Sequence, residues 1–403
     1  MQPLIINAMV MLFWCAWAVL CYSYVGYPAL IRLTARVAGR KPRLPCPNPQ
    51  AELPEITVLI VAFNAEQHIC ERIRNVLACD YPGDRIHVLV ASDGSWDATV
   101  SLVEGLNDSR VRVAAFPQRR GKTRTLVDAV QLVTSEVIVF TDATNHFDQF
   151  SLRHLARHFI EPQVGIVTGK VALIDEFGAP VESLYWQSEM KIRRSETNLG
   201  IMLGANGPIY AIRRTMFVAP RQPAINDDFV LPMLAHLRHG CGIVFDETAL
   251  AYMLSCGGLS SEFKRRCRIG AGAFQSLSVL RELFQWRHAK QVVAFVSHKF
   301  LRWIGPFLLV AMLAANLVLI NHSGYKFLFV VQLTAYLLAV VGLILPNGGF
   351  LTRLPRYGSS FLIMNLALLT GFCRWLIDPQ NVVWNPTIRP VLGQLPAMRR
   401  ESV

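Results

Sequence analysis

No charged residue occurs among the first 31 positions, and Asp, Glu, Lys and Arg together make up only 17% of the 403-residue chain. A helix needs about 20 apolar residues to cross a membrane, so residues 1–31 are long enough to span one. A signal peptide is not favoured, because the segment has no basic start and is long for the apolar part of a signal. The 52% share of hydrophobic residues and the mean hydropathy of +0.33 exclude an ordinary soluble enzyme. We expect one large domain accompanied by membrane spans.

Three intervals in the C-terminal part of the sequence also contain no Asp, Glu, Lys or Arg. They are residues 303–325, 327–352 and 357–373. The first two predict membrane spans. The third is shorter and is followed at once by Arg374, whose long side chain can reach the membrane boundary. We leave open whether this last segment crosses the membrane, re-enters it or lies at its surface.

Motifs of several other enzyme classes are absent. The nine cysteines include no Cys-x-x-Cys pair, which is typical of free thiols in a reducing compartment. Gly121-Lys122-Thr123 is not part of a P-loop, because Phe116 stands where that motif requires Gly. Two histidine groups lack the further ligands of zinc sites. These groups are His154 with His158, and His236 with His239 and Cys241.

The net charge of +12 is concentrated beside the apolar segments. By the positive-inside rule, the residues between the two basic groups are cytoplasmic. Anionic membrane lipids are the expected partners of this charge, whereas nucleic acid is not, since no recognition motif accompanies it. The basic residues are Arg32, Arg36, Arg40, Lys41 and Arg43 after the first segment, and Lys264, Arg265, Arg266, Arg268, Arg281, Arg287, Lys290, Lys299 and Arg302 before the second.

Strand and helix patterns alternate between Ile56 and Thr144, with runs of Val, Ile and Leu in the strands. Such continuous apolar runs are typical of a parallel sheet that is covered on both faces. Ligands bind beyond the carboxyl ends of the strands in these sheets, so the loops at three strand exits should converge on one site. The loops begin with Asn64-Ala65-Glu66, Ser92-Asp93-Gly94-Ser95 and Thr141-Asp142-Ala143-Thr144-Asn145.

Two acids at these exits, Asp93 and Asp142, suit a ribose and a metal-bridged diphosphate. Asp142 and the oxygen of Thr144 are ligands that Mg²⁺ or Mn²⁺ accepts. Asp93 can accept hydrogen bonds from a base or a ribose. The alternative is that these polar residues only form turns, with Ser95 or Asp97 as a helix N-cap.

Three further groups suit the same chemistry. Asp227-Asp228 precede an apolar segment, where one acid is a general base or both favour a helix N-terminus. Lys122 at the start of a helix can contact a phosphate. The arginines at 265, 266 and 268 neutralise either lipid headgroups or a leaving diphosphate.

Seven short segments follow one another in a specific order: Val61-Ala62-Phe63-Asn64-Ala65-Glu66, Ser92-Asp93-Gly94-Ser95, Gly121-Lys122, Asp142-Ala143-Thr144, Gly204-Ala205-Asn206-Gly207, Asp227-Asp228 and Arg265-Arg266-Cys267-Arg268-Ile269. In this order they resemble the membrane-embedded family 2 glycosyltransferases, which include cellulose, hyaluronan and poly-N-acetylglucosamine synthases. The resemblance extends from about Glu55 through the C-terminal spans. It implies an α/β fold of the GT-A type, with a mostly parallel sheet, and a UDP-linked sugar donor.

The resemblance also implies a role for each matching residue. Asp142 and Thr144 would bind Mg²⁺ or Mn²⁺, Asp228 beside Asp227 would be the base, and the acceptor would lie along Gly204, Asn206 and Gly207. The nucleotide sugar would be held by Ala62, Asn64, Glu66, Asp93, Lys122, Arg265, Arg266 and Arg268.

Four positions depart from the family pattern. Thr144 replaces the second Asp of Asp-x-Asp, so metal ligation is weaker or uses Asn145. Asp227 replaces the Glu of Thr-Glu-Asp, and Arg265 the Gln of Gln-x-x-Arg-Trp. Ile269 stands in place of the Trp that lies near the acceptor in polymerising synthases, which favours transfer of a single sugar to a lipid. Extracellular polysaccharide assembly remains the first hypothesis, an accessory membrane subunit stays open, and a non-catalytic membrane partner is the third alternative.

The predicted organisation places the enzyme in the bacterial inner membrane, with its catalytic domain in the cytoplasm. We expect a strand over residues 165–173 and a helix over residues 182–199. The domains are a first span (1–31), a basic, proline-rich linker (32–54), the GT-A domain (55–290), an interfacial helix with about three spans (291–378) and a tail (379–403).

Overall fold

The computed structural model describes residues 2–39, 53–175, 184–255, 258–345 and 350–378. Within these ranges the strands are β1 (Ile56–Ala62), β2 (Ile86–Asp93), β3 (Val111–Phe116), β4 (Val137–Asp142), β5 (His146–Phe147), β6 (Val164–Ile174), β7 (Tyr210–Arg213) and β8 (Gly242–Leu254). The helices are α1 (Gln2–Cys21), α2 (Tyr27–Ala38), α3 (Ile69–Leu77), α4 (Thr99–Glu104), α5 (Lys122–Val130), α6 (Ser151–Ala156), α7 (Leu184–Asn198), α8 (Asp227–His239), α9 (Leu259–Val279), α10 (Ala289–Phe295), α11 (Leu301–Trp303), α12 (Gly305–Val318), α13 (Ser323–Val341) and α14 (Phe350–Ile377). Most of the predicted linker and the predicted tail lie outside the described residues.

The eight strands form one sheet in the order β3-β2-β1-β4-β7-β6-β8-β5. The predicted alternation of strands and helices from residue 56 to residue 144 is present, and β3, β2, β1 and β4 are all parallel. β7 runs antiparallel to both β4 and β6, and β5 antiparallel to β8. The α/β class is therefore confirmed, but the sheet is mixed.

β1, β2 and β4 are mostly apolar and buried because helices cover both faces, whereas the edge strand β3 is only partly buried. All seven residues of β1 are buried. Ile56, Val58 and Ile60 pack in one cluster with Ile69 and Ile73 of α3. Since side chains alternate between faces, the remaining residues of β1 point toward the opposite face, where α5 lies.

A buried ion cluster joins the segment after α6 to β8. Asp246 is 5% exposed, and its Oδ2 lies 2.6 Å from Arg157 Nη2 and 2.7 Å from His158 Nε2. Burial alone would raise the pKa of Asp246, but hydrogen bonds from His158, Thr248 and Arg157 outweigh it and lower the pKa. One of the two histidine groups in the sequence thus contributes His158 to an ion pair.

Asp246→Asn should lower the free energy of unfolding by about 3 kcal/mol, because it leaves the partly buried guanidinium of Arg157 without its carboxylate. The folded-state pKa of Asp246 is lowered, so this contribution is complete above the ordinary carboxyl pKa and is lost as the pH falls through the folded value. Thermal unfolding in detergent at several pH values measures it. Glu247→Gln, which removes an exposed pair with Arg194, is the matched control and should change stability by less than about 1 kcal/mol. Equal effects of the two variants would contradict the prediction.

The chain divides into two compact units, of which one comprises residues 1–30, 259–275 and 293–379 and the other residues 31–258, 276–292 and 380–403. The sheet belongs to the second unit. The apolar helices are concentrated in the first.

Three helices in the described ranges are long and apolar enough to cross a membrane, namely Pro3–Ala38, Gly324–Val341 and Leu354–Ile377. The first continues past residue 31 into α2 through a π-helical turn. The last lies in the segment that the sequence left open, and it is a continuous helix of 24 residues.

The helix within the predicted span at residues 303–325 is shorter than the prediction. Its helix, α12, has 14 residues, which corresponds to about 21 Å and is too short for the hydrocarbon core. α12 is long enough to cross a membrane only together with the preceding helix, Trp286–Trp303. The two helices meet at a bend of 57°. The described residues therefore provide three spans, or four if the bent pair is counted as one.

Candidate active site

The carboxyl edge of the parallel half of the sheet collects the predicted polar loops. β1 lies between β2 and β4, with Ala62 beside Ser92 and Val61 beside Asp142. The exits of the three strands therefore lie side by side, as expected for neighbouring parallel strands.

Lys122 is the residue that joins the acids of this edge. Its Nζ lies 3.0 Å from Asp142 Oδ1 and 3.2 Å from Asp227 Oδ2, and its side chain is only 15% exposed. Burial alone lowers the pKa of Lys122, but Asp142 and Asp227 outweigh burial and raise it. The ammonium group is therefore charged and bridges a strand exit of the sheet to the start of α8.

The paired acids occupy the first turn of α8 and differ in environment. Asn226 takes the N-cap position, so both carboxylates also interact favourably with the helix dipole. Asp227 is buried, which raises its pKa, while Lys122 opposes this rise and Asp228 and Asp142 add to it. Asp228 is half-buried, and its Oδ2 accepts a hydrogen bond from the N–H of Gly207 at 3.2 Å.

The loop at residues 204–207 is packed against α8. The N–H of Ala205 donates to the carbonyl of Asp228 at 2.8 Å, and Gly204 has φ +71° where a Cβ would meet Phe229 at 2.7 Å. Asn206 is 5% exposed and donates through Nδ2 to the carbonyl of Gly169. The side chain of Asn206 thus fixes the loop to β6, and the loop in turn positions Asp228. The acceptor role implied for this loop stays a prediction.

Gly207→Ala should reduce kcat about tenfold with little change in donor affinity. A Cβ at Gly207 would lie 3.1 Å from Asp228 Oδ2, so the carboxylate must shift by a few tenths of an ångström. Steady-state kinetics and nucleotide titration separate the two quantities. Gly242→Ala is the control, because a Cβ there meets only the carbonyl of Gln163 at 3.5 Å. Unchanged kcat for Gly207→Ala would argue against Asp228 as a positioned catalytic group.

Asp93 is fully buried and holds the turn that leads into α5. Its carboxylate accepts hydrogen bonds from the N–H of Arg120 at 2.7 Å, the N–H of Gly121 at 3.0 Å and Thr125 Oγ1 at 2.8 Å. Gly121 has φ +87°, which favours glycine. Asp93 therefore positions Lys122, while the uridine contact implied by the resemblance remains a prediction.

The loops after β1 and β2 are tied together by reciprocal hydrogen bonds. Ala62 is buried at the end of β1, and Asn64, two residues later, adopts φ 48°. The bonds run from Asn64 N–H to Ser95 Oγ, from Trp96 N–H to Asn64 Oδ1, from Glu66 N–H to Asp97 Oδ2 and from Ala98 N–H to Glu66 Oε2, each at 3.1 Å. Asp97 also accepts from the N–H of Thr99, the first residue of α4. Asn64 and Glu66 thus join the loops after β1 and β2.

Asp142 and its neighbours form the candidate metal site. Asn145 is buried and donates through Nδ2 to Asp142 Oδ2 at 3.4 Å, and Thr144 is half-buried. No group of three or more His, Cys, Asp or Glu that could hold a metal occurs among the described residues. A single carboxylate suits Mg²⁺ or Mn²⁺ only where waters and substrate phosphates complete the shell. The donor set therefore fits a cation that is bound together with a diphosphate.

Two buried residues beneath the site escaped the sequence analysis. Arg72 is 0% exposed, donates to Thr141 Oγ1 at 3.0 Å and lies 4.0 Å from the centre of the Phe147 ring. Burial lowers its pKa to about 10, against the opposing effects of Cys79 and Asp142. Tyr210 stacks on Phe140, and burial together with the nearby acids raises the pKa of its hydroxyl. Arg72 lies on the apolar stripe of α3, which is the signal that could have identified it.

The sequence analysis also missed Trp96, an aromatic residue at the same edge of the sheet. Phe63 has the guanidinium carbon of Arg119 3.9 Å from its ring centre and the ring of Trp96 at 5.0 Å, edge-on. Trp96 is 76% exposed. A large exposed aromatic side chain beside a strand exit can stack on a flat ligand group.

The predicted arginines lie on α9, within the first unit. Arg265 and Arg266 both bind Glu262, at 2.8 Å and 2.6 Å. Burial raises the pKa of Glu262, but the two arginines outweigh it and lower the pKa to about 2. Glu262 therefore neutralises part of the positive charge of Arg265, Arg266 and Arg268 from within the same helix.

The fold and the acid-lined edge of its sheet define a GT-A glycosyltransferase domain. A mannosyltransferase from Pyrobaculum calidifontis, solved in complex with GDP-Man and Mn²⁺, superposes with a TM-score of 0.68 at 20% identity, over 91% of this chain and 99% of that one. Residues 57–217 match the family model described as "Glycosyl transferase family 2". The chain thus contains a family 2 glycosyltransferase domain, and the resemblance found in its motifs is confirmed.

Curated relatives extend the comparison. Poly-beta-1,6-N-acetyl-D-glucosamine synthase of Staphylococcus aureus is 24% identical over 253 residues, which are 61% of this chain and 60% of that protein. Beta-monoglucosyldiacylglycerol synthase of Synechocystis is 22% identical over 167 residues, 40% of this chain and 34% of that protein. The chain thus matches about three fifths of the length of the first relative and one third of the second.

Proposed function

We propose that this protein is an inverting membrane glycosyltransferase that transfers a hexose from a UDP-sugar to a growing extracellular polysaccharide. The observation that carries the proposal is the convergence of Asp142, Lys122 and the Asp227–Asp228 pair at the carboxyl edge of the sheet. The relative that synthesises poly-beta-1,6-N-acetyl-D-glucosamine supports the choice of a polymer.

In the proposed reaction, Asp228 accepts the proton of an acceptor hydroxyl while the hydroxyl oxygen bonds to the anomeric carbon of the sugar. The bond between that carbon and the diphosphate oxygen breaks, and UDP leaves with the electron pair. Lys122 stabilises the charge of the departing diphosphate. Asp142, with Thr144 and Asn145, would hold Mg²⁺ or Mn²⁺, which supplies further positive charge to the diphosphate. The Mn²⁺ in the structurally similar mannosyltransferase supports this assignment.

Asp228 is a better base than Asp227 for two reasons. Asp228 is half-buried and therefore accessible to an acceptor, whereas Asp227 is buried and paired with Lys122. The N–H of Gly207 also holds one oxygen of Asp228 in place, which leaves the other for the incoming hydroxyl.

We place the protein in the bacterial inner membrane with the glycosyltransferase domain in the cytoplasm. The apolar helices and the basic residues beside them support this location, and membrane lipids are then partners of the basic groups.

Transfer of a single sugar to a membrane lipid is the second candidate. Ile269 stands where resembling polymer synthases have Trp, and the Synechocystis relative is named as a glycolipid synthase. A non-catalytic membrane partner with the same fold is the third.

One assay tests all three candidates. The purified protein in lipid nanodiscs is incubated with Mn²⁺ or Mg²⁺, labelled UDP- and GDP-sugars and total membrane lipid, with Asp228→Asn as the inactive control. Label in high-molecular-weight polymer supports polysaccharide synthesis. Label in an organic-soluble product would overturn polysaccharide synthesis in favour of sugar transfer to a membrane lipid. No transfer and no UDP release with any donor would overturn the enzymatic proposal.

A further inference from the structure

Lys122 occupies the position that a cation would take between two carboxylates of the site. Its Nζ is 3.0 Å from Asp142 and 3.2 Å from Asp227, so both acids already have a positively charged partner before any ligand is bound. A divalent cation that arrives alone must displace this ammonium group from Asp142.

The position of Lys122 is fixed by hydrogen bonds on both sides of it. Before Lys122, the N–H groups of Arg120 and Gly121 donate hydrogen bonds to the carboxylate of Asp93. After it, Thr123 Oγ1 donates to the carbonyl of Ala224 at 2.6 Å and Thr125 Oγ1 donates to Asp93. Lys122 is therefore held in the site, unlike a lysine on a solvated surface.

The charges around Asp142 also disfavour a lone cation. The side chain of Thr144 carries no charge. Among the described residues, no group of three or more His, Cys, Asp or Glu is placed to hold a metal ion. The fully buried guanidinium of Arg72 donates to Thr141, the residue before Asp142, and adds a second positive charge nearby. A cation approaching Asp142 therefore meets two carboxylates, Asp142 and Asp227, that are already paired with Lys122, and the guanidinium of Arg72 nearby.

We propose that Lys122 excludes divalent cations from the nucleotide-free site, so that the cation binds only together with a nucleoside diphosphate. This inference rests on the proposed function, because it assumes a diphosphate ligand. The phosphate oxygens provide new partners for the ammonium group and release Asp142 to the cation. The nucleotide and the cation then increase each other's affinity by the same factor.

Mn²⁺ binding to the purified full-length protein tests the proposal directly, with electron paramagnetic resonance of free Mn²⁺ as the readout. Without nucleotide, the wild-type protein should bind Mn²⁺ weakly, and saturating UDP should tighten binding at least tenfold. Lys122→Met should bind Mn²⁺ without nucleotide about tenfold more tightly than the wild type, and UDP should tighten its Mn²⁺ binding by a smaller factor than in the wild type. Lys122→Arg keeps the charge and should behave like the wild type.

A double variant identifies the site of the gained cation. Lys122→Met with Asp142→Asn should lose the tighter Mn²⁺ binding. Retention of tight binding in the double variant would overturn the proposal, and so would a Lys122→Met protein that binds Mn²⁺ no better than the wild type. If Lys122→Met fails to fold, the wild type alone decides, because equal Mn²⁺ affinity with and without UDP contradicts the exclusion.

The outcomes separate this inference from the proposed function. Tighter Mn²⁺ binding by Lys122→Met, with no effect of UDP or GDP on either protein, would show that the lysine opposes the cation but would overturn the inference, because the diphosphate would not release Asp142. Sugar transfer by a wild type that binds Mn²⁺ equally well with and without UDP keeps the function and overturns the inference.

Discussion

Asp228→Asn is expected to lower kcat by about 10²- to 10⁴-fold while the affinity for UDP stays close to that of the wild type. A positioned general base contributes a factor of this size, and an amide cannot accept the proton of the acceptor hydroxyl. The amide oxygen can still accept the hydrogen bond from Gly207 N–H, so the loop at residues 204–207 should keep its place. UDP release in the presence of acceptor gives kcat, and calorimetric titration gives the affinity.

Asp227→Asn is the matched control, since it changes the neighbouring acid in the same way. Asp227 is buried and paired with Lys122, so its loss should act mainly on donor binding. Near-normal turnover of Asp228→Asn together with an inactive Asp227→Asn would show that the base is Asp227.

The parallel half of the sheet was predictable from the sequence for a physical reason. Strands buried on both faces are mostly apolar, as β1 is except for Thr57, and the apolar residues of the helices between them recur with the helical period. The positions of Asp93 and Asp142 follow, because polar side chains at the exits of neighbouring parallel strands must lie at one edge.

Other features depend on contacts between segments that are distant in the sequence. The antiparallel insertion of β7 between β4 and β6 has no local signal that distinguishes it from a parallel strand. The bridge from Lys122 to Asp227 exists only because α5 and α8 start near each other in the folded domain. The same holds for Asn206, whose side chain donates to the carbonyl of Gly169 in β6.

The bend between Trp303 and Gly305 was not predicted, although a local signal for it exists. Hydropathy measures only how apolar a segment is, so residues 303–325 look like one span. Pro306 lies in the first turn of α12, where its missing N–H is tolerated, and a proline there indicates that a new helix begins. Attention to this residue would have divided the segment at the bend.

Asp142→Asn is expected to remove most of the dependence of UDP binding on Mn²⁺ and to lower kcat/KM by about 10²- to 10³-fold. Positive charge on a departing diphosphate is worth several kcal/mol, and each 1.4 kcal/mol corresponds to a factor of ten. Asp142 is the one carboxylate of the candidate metal site, and the amide of Asn145, 3.4 Å from it, cannot replace its charge.

Two further variants serve as comparisons for the effect of Asp142→Asn on activity and on cation dependence. Thr144→Ala removes a neutral oxygen and should cost about tenfold or less, because a water molecule can take its place around Mg²⁺ or Mn²⁺. Asp108→Asn removes an acid from a pair with Arg110 before β3 and should leave transfer unchanged. UDP titrations with and without Mn²⁺ rank the three proteins. Unchanged activity and unchanged cation dependence in Asp142→Asn would mean that Asp142 does not hold the cation.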